Sequence, residues 1–257
     1  MNNVLGKWKQ SCLLQQNSLT SESIPETSLY SVDNLLDYIS RYEEVYVKHD
    51  SSGQGRAIFK VNRNNEGLYC LNGFTIQGVK INRCVPTIED LHQVFHPFVK
   101  FGRLSGNYII QEYVQSVTFN QQPFCIRVHI QNLNGNWIIG GIYGKTGKPG
   151  ARENGIVNAR RGAQVMSIEE LLMVHCMMDE QKKNDVIRSL EEMAFLAADV
   201  IASYYPCREY GIDFGLIGDR KPVIFEVNST PGIGAFANIE NNTLWKRIVE
   251  IRKLQKK

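Results

Sequence analysis

The chain has 257 residues, of which 43% are hydrophobic, 21% charged and 10% aromatic. That length suits one large domain or two closely joined lobes, and the composition excludes collagen-like, mucin-like and largely disordered chains. Twenty-nine Lys and Arg against 26 Asp and Glu leave a formal charge of +3, too small to make nucleic acid or an anionic membrane the default partner. Apolar runs such as Met193 to Ala198 fall far short of the roughly 20 residues a membrane helix needs. The start, Met1 to Lys7, has no apolar signal core, so the expectation is a cytoplasmic protein. Its six cysteines, Cys12, Cys70, Cys84, Cys125, Cys176 and Cys207, form no Cys-x-x-Cys pair and are expected to be reduced thiols.

In chain order, an N-terminal segment with apolar Leu13, Leu14 and Leu19 leads through a polar loop at 21–27 to a helical pattern at Leu35, Leu36 and Ile39. Glu44 to Lys48 and Ala57 to Val61 have the β-branched and aromatic content of strands, joined by a loop rich in Ser and Gly. Further strands are expected at Leu68 to Leu71 and Phe74 to Ile81. A helix should start at Thr87 and run through Leu91, Val94, Phe95 and Phe98, tolerating or kinking at Pro97. Tyr108 to Val114 returns to strand, and Phe124 to Leu133 with Trp137 to Tyr143 reads as a hairpin about Asn134-Gly135-Asn136. The stretch from Gly144 to Gly162 holds five Gly and one Pro, the character of a functional loop. A capping box at Ser167 to Glu170 predicts a helix through Leu171 to Met178, and longer helices are expected at Val186 to Tyr205 and Leu244 to Lys257. Between the last two lies a hairpin of Gly211 to Ile217 and Pro222 to Val227.

That hairpin carries the strongest chemical signal. Asp213 sits inside one strand, and Glu226 and Asn228, two apart on the next, point to one face because strand side chains alternate. Carboxylates within apolar strands are costly to bury without a cation, and three oxygen donors suit Mg²⁺, whose shell water and phosphates complete. A lone strand carboxylate is more often edge-exposed; the spacing and the Asn228-Ser229-Thr230-Pro231-Gly232 turn weigh against that here. Upstream, Lys48 ends a strand and is followed by small residues. Its ammonium and the backbone N–H groups of Ser52, Gly53 and Gly55 make a phosphate-loop candidate, against the plain alternative of a hairpin turn. It is not a Walker A loop. His92 and His96 lack the Glu of a metalloprotease motif and read as packing or surface residues, and neither a nucleophile elbow nor a Gly-x-Gly-x-x-Gly helix start is present.

Together these segments resemble the ATP-grasp superfamily over nearly the whole chain. The likeness is closest to the endospore coat-associated YheC/YheD-type proteins, through Gly6-Lys7-Trp8, Ile24-Pro25-Glu26-Thr27, Val45-Tyr46-Val47-Lys48, Ile126-Arg127-Val128-His129-Ile130-Gln131, Asn136-Trp137 and Phe225-Glu226-Val227-Asn228. D-alanine–D-alanine ligase and glutathione synthetase are more distant relatives with the same acidic strand pair. The resemblance implies an α+β ATP-grasp fold, with nucleotide between antiparallel sheets in a smaller lobe of about 28–110 and a larger one of about 111–257. As a departure from the larger ligases, which carry a separate N-terminal substrate domain, none is expected here, since Lys7 already stands in the place of their early lysine. The resemblance implies ATP with Mg²⁺, or Mn²⁺ in its place, held by Asp213, Glu226 and Asn228. Lys7 and Lys48 would meet phosphates, and Gln111, Glu112 and Val114 would form the strand that reads adenine, with core packing as the alternative. Arg127 would clamp phosphate or substrate carboxylate, and Lys145 and Asn158 would lie near phosphates and acceptor; Arg160 and Arg161 could serve the same anionic site, with solvated loop residues as the equal alternative. No acidic ribose-holding residue follows the hinge, where Asn120-Gln121-Gln122 is uncharged. The implied reaction is ligation of a small-molecule or peptide carboxylate to an amine or thiol through an acyl phosphate, with no nucleic-acid or membrane partner. The alternative is a non-catalytic, nucleotide-binding spore-associated protein. The implied setting is the cytoplasm or the spore of a spore-forming bacterium.

Overall fold

A computed structural model describes residues 5–102, 107–148, 151, 153–218 and 220–255, the side chains of 96–102 aside. Its strands form two antiparallel sheets. The first contains β1 (Thr27–Leu29), β2 (Glu44–His49), β3 (Ile58–Arg63), β4 (Tyr69–Phe74), β5 (Lys80–Val85) and β6 (Tyr108–Glu112), in the order β1-β6-β2-β3-β4-β5. In β2 the alternate residues Val45, Val47 and His49 are buried, the two-residue period of a strand with one covered face. Leu35 and Tyr38 of α2 (Val32–Arg41) and Leu91 and Phe95 of α3 (Ile88–Gly102) join Val45, Val47, Phe59 and Leu71 in one core. α2 starts where the Ser31 hydroxyl accepts the Asn34 N–H, a satisfied N-cap.

The second sheet contains β7 (Phe124–Leu133), β8 (Asn136–Thr146), β9 (Gln164–Ser167), β10 (Glu209–Ile217) and β11 (Lys221–Asn228), in the order β11-β10-β7-β8-β9. Asn134 and Gly135, at φ 54° and 87°, close the β7–β8 hairpin with Leu133 opposite Asn136, the left-handed pair that a two-residue turn requires. One face of this sheet, with Ile126, Val128, Ile212 and Phe214, packs on Leu190, Ala194, Ala197 and Ala198 of α4 (Glu180–Ala202). Leu13 and Leu14 of α1 (Lys7–Gln16) enter the same core, so the N-terminal helix is tied to the second sheet. On the other face, Tyr143, Phe236, Ile239 and Ile248 form a smaller core beneath α5 (Thr243–Leu254). With both faces covered, β7 is buried at most of its positions instead of alternating.

Several expectations shift. The span expected as one strand from Phe74 to Ile81 contains the β4–β5 turn: Thr75 N–H bonds the Val79 carbonyl, Gly78 N–H bonds the Thr75 carbonyl, and Gly78 sits at φ 86°. The loop expected from Gly144 starts later, because β8 runs on to Thr146. α4 starts at Glu180, where the Asp179 carboxylate accepts the Lys182 N–H. The segment after the Ser167 cap is π-helical over Glu170–His175. Cys70 and Cys84 are directly opposite on β4 and β5 and joined as a disulfide, which corrects the expectation of six reduced thiols. Cys12, Cys125, Cys176 and Cys207 are free. His92 packs flat on Tyr30 and bonds its hydroxyl; the side chain of His96 lies outside the described residues.

Candidate functional site

A cleft lies between the two sheets. Lys48 of β2, Gln111 and Glu112 at the end of β6, Val114, and Gly53 and Gly55 of the β2–β3 loop face it from the first sheet. Arg127 of β7, Lys145 of β8, Asp213 of β10 and Glu226 and Asn228 of β11 face it from the second, with Lys7 and Asn158 at its edges. Of the residues assigned to the site from the sequence, the structure brings all into the cleft lining except Arg160, Arg161 and Ser52. Ser52 opens on a neighbouring hollow, its N–H donates to the His49 carbonyl, and only its carbonyl reaches inward, to Lys7.

Sheet register builds the floor. Glu226 is opposite Asp213, Asp213 opposite Arg127 and Arg127 opposite Tyr143, so adjacent strands set four side chains in a row on one face. Arg127 clamps Asp213 with two bonds, Nε to Oδ1 at 2.8 Å and Nη2 to Oδ2 at 2.7 Å, the bidentate fork that guanidinium geometry favours. A Cβ on Gly211 would stand 2.6 Å from Arg127 Nη1, so the glycine makes room for that guanidinium. Lys145 Nζ lies 3.4 Å from Asp213 Oδ1, and Asn228 Nδ2 donates to the Gly211 carbonyl and approaches Asp213 Oδ2 at 3.5 Å. Burial penalises charge on Asp213, but Arg127 and Lys145 overcome it and hold the carboxyl well below its usual range. Burial likewise opposes the charge on Lys145 and Arg127, and Asp213 outweighs it, raising both.

Lys7 links the two sides. Its Nζ donates to the Ser52 carbonyl at 2.5 Å and pairs with Glu226 Oε1 at 3.2 Å. Asp50 holds it there: the Asp50 carboxylate accepts the Trp8 N–H at 2.7 Å and its carbonyl accepts the Lys7 N–H. Lys48 Nζ donates to Gln111 Oε1 at 2.6 Å and lies 4.6 Å from the centre of the Tyr46 ring. Burial, with help from Lys7, brings the Lys48 ammonium down to about 8. Gln111 is committed on both ends, because its Nε2 donates to Thr27 Oγ1. Glu112 accepts the Glu26 N–H.

Residues 153–163, which follow β8, cross the mouth of the cleft. Tyr46 donates to the Asn154 carbonyl, Lys80 and Asn72 hold Glu153, and Arg160 donates to Gln54 Oε1. Gly55 is at φ 67°, and a Cβ there would meet Ile156 at 2.9 Å, so this close approach needs glycine. Asn158 uses its carboxamide oxygen to cap the turn that follows.

The donors Asp213, Glu226 and Asn228 are two carboxylates and a carboxamide on adjacent strands. This all-oxygen set fits a hard divalent cation, with Lys7, Arg127 and Lys145 balancing the carboxylates. Among the described residues no group of three His, Cys, Asp or Glu is placed to hold a metal. Sequence reasoning missed Asp50, Tyr46 and Cys125. The Cys125 thiol, pushed up to about 12 by burial and Asp213, lies 3.5 Å from Asp213 Oδ1. The strand position of Tyr46, two residues before Lys48, is the one local signal that would have found it.

Two sheets facing across such a cleft are the ATP-grasp fold. The chain superposes on D-cycloserine synthetase DcsG with a TM-score of 0.58 at 13% identity, covering 97% of this chain and 70% of that one. It superposes on an L-amino acid ligase from Bacillus licheniformis with a TM-score of 0.51 at 13% identity, covering 92% and 43%. Residues 1–252 match the family described as YheC/D like ATP-grasp, and the chain belongs to it. It is 26% identical over 238 residues to the endospore coat-associated protein YheD of Bacillus subtilis (strain 168), covering 90% of this chain and 49% of that protein. The chain spans about half the length of this curated relative.

Proposed function

We propose that the chain is an ATP-dependent ligase that activates a carboxylate as an acyl phosphate for attack by an amine or thiol. One observation carries this reading: four cationic side chains, Lys7, Lys48, Arg127 and Lys145, converge in a single cleft with three carboxylates, Glu112, Asp213 and Glu226. Lys48 bonds the neutral Gln111, and cations gathered in this way are suited to the phosphates of a nucleotide. Lys48 and Lys7 take the phosphate contacts on one side, and Arg127 and Lys145 face the transferring phosphoryl group and the substrate carboxylate on the other. Backbone groups at 112–114 read the adenine edge, since the Gln111 side chain is held by Lys48 and Thr27. Asp213, Glu226 and Asn228 hold Mg²⁺, which neutralises phosphate charge when bound. Gly155 to Asn158, which line the cleft, exclude water from the reacting groups. The names of the superposed structures, a D-cycloserine synthetase and an L-amino acid ligase, support amino-acid-like substrates. The relative's name supports action at or on the way to the spore.

Hydroxylamine trapping tests the reading without knowledge of the acceptor. With ATP, Mg²⁺ and a panel of amino acids and short peptides, the protein should convert a carboxylate to its hydroxamate. Asp213→Asn or Glu226→Gln should lower the rate by about 100-fold or more. Undiminished hydroxamate in both variants would sink the metal assignment, and none from any carboxylate would sink the ligase reading.

A further inference from the structure

A second cationic cluster lies at the rim of the cleft, apart from the floor. Arg56, Arg160, Arg161 and Lys148 come from the β2–β3 loop and the segment after β8. Among the described residues none of the four is paired with a carboxylate. The nearby Glu153 is taken by Lys80 and Asn72. What holds the arginines is neutral: Arg160 Nη1 donates to Gln54 Oε1 at 2.6 Å, and Arg161 Nε to the Gly55 carbonyl at 3.2 Å. The Arg161 guanidinium also lies 3.4 Å over the Phe74 ring. Each of these bonds uses one of five guanidinium donors. Arg161 and Arg56 are neighbours, since Arg161 Nη2 and Arg56 Nε are 3.7 and 4.0 Å from the place a Cβ on Gly78 would occupy. Burial and the Arg56 charge both depress Arg161. Like charges brought this close without a counter-charge are unfavourable until an anion joins them.

The anion they await is distinct from the nucleotide phosphates, whose proposed contacts Lys7, Lys48, Arg127 and Lys145 line the cleft, while Arg56, Arg160 and Arg161 do not. Arg56 opens on a neighbouring hollow with His49, Ser51, Ser52 and Ile76, which shares Gly53 and Gln54 with the cleft. Gly55 joins the two regions, because it lines the cleft while its carbonyl holds Arg161. A molecule reacting at the floor can therefore extend over Gly55 to the rim.

We propose that the rim is a subsite for a second carboxylate of the substrate, so that the substrate is a polycarboxylate, an acidic peptide being its simplest form. Calling the ligand a substrate rests on the ligase reading; the affinity of the rim for carboxylates does not. Calorimetric titration with tri-glutamate, at low salt and with Mg²⁺ and a non-hydrolysable ATP analogue present or absent, tests it. The native protein should bind tri-glutamate and not tri-glutamine. Arg56→Gln with Arg160→Gln should weaken binding by about tenfold or more and leave analogue affinity unchanged. Lys182→Gln with Arg188→Gln, on the far surface of α4, should bind as the native protein does. Absence of tri-glutamate binding, equal weakening in both double variants, or a parallel loss of analogue affinity in the rim variant would overturn the proposal. Normal tri-glutamate behaviour in a protein that binds no analogue would overturn the nucleotide reading and leave the rim standing.

Discussion

Lys48 shows how the site tunes a single group. It is half-buried against Tyr46 and Gln111, and burial with Lys7 brings its ammonium down to about 8. A phosphate-binding lysine so placed should lose its charge as pH rises through 8. Nucleotide affinity, followed by titration of a fluorescent ATP analogue, should therefore fall severalfold between pH 7.5 and pH 9, where the phosphates themselves are already ionised. Lys48→Arg, which keeps its charge throughout, should flatten that profile, and an unchanged slope would show that another group titrates. For Asp213 the sign is opposite. Its folded-state value is depressed, so its stabilisation is complete above the ordinary carboxylate range and is lost as pH falls below it. That Asp213 needs a partner of opposite charge was legible, because a carboxylate between Ile212 and Phe214 is costly to bury alone. That the partners are Arg127 and Lys145 was not, since strand register between segments 86 and 68 residues apart is set by tertiary packing.

At the scale of elements, α5 is fastened to the second sheet by Arg252, which donates to Glu209 on β10 at 2.9 and 2.6 Å. His129 Nε2 of β7 lies 3.3 Å from Oε2 of the same carboxylate. Burial would raise Glu209, but His129 and Arg252 pull it down to about 2. Arg252→Met should cost about 1–3 kcal/mol at pH 7, read as a lower denaturation midpoint. The difference from the native protein should shrink as pH falls from about 4 to 2 and Glu209 is protonated; a constant difference would assign the loss to packing of the arginine stem. The β7–β8 turn was legible because Asn134-Gly135 supplies two left-handed residues. α1 was not, since the face it buries carries Lys7, Gln10 and Ser11 beside Leu13 and Leu14, too polar to read as an apolar stripe, and it is held by contacts far along the chain, among them Gln10 to Val227. The Cys70–Cys84 pair was hidden for the same reason as the floor contacts: only the β4–β5 register sets the two residues opposite each other.

Across the whole molecule, most strands and helices were readable in order, α1, β1 and β9 apart, and the two-sheet α+β fold was implied by the family resemblance those parts carry. What the sequence withheld is how the parts close on one another. Lys7 and Glu226 are 219 positions apart, yet they form an ion pair that ties α1 to β11, while the Ser52 carbonyl ties the same ammonium to the first sheet. Nucleotide and metal would exchange that pair for contacts of their own, so binding and closure of the cleft should be linked. Thermal unfolding with ATP alone, Mg²⁺ alone and both together, on the native protein and on Glu226→Gln, is the most direct test. At nucleotide about a hundred times its Kd, the account predicts a rise of about 5–10 °C that requires both ligands and is lost in the variant. No rise at millimolar ATP with Mg²⁺, or the same rise in Glu226→Gln, would contradict it.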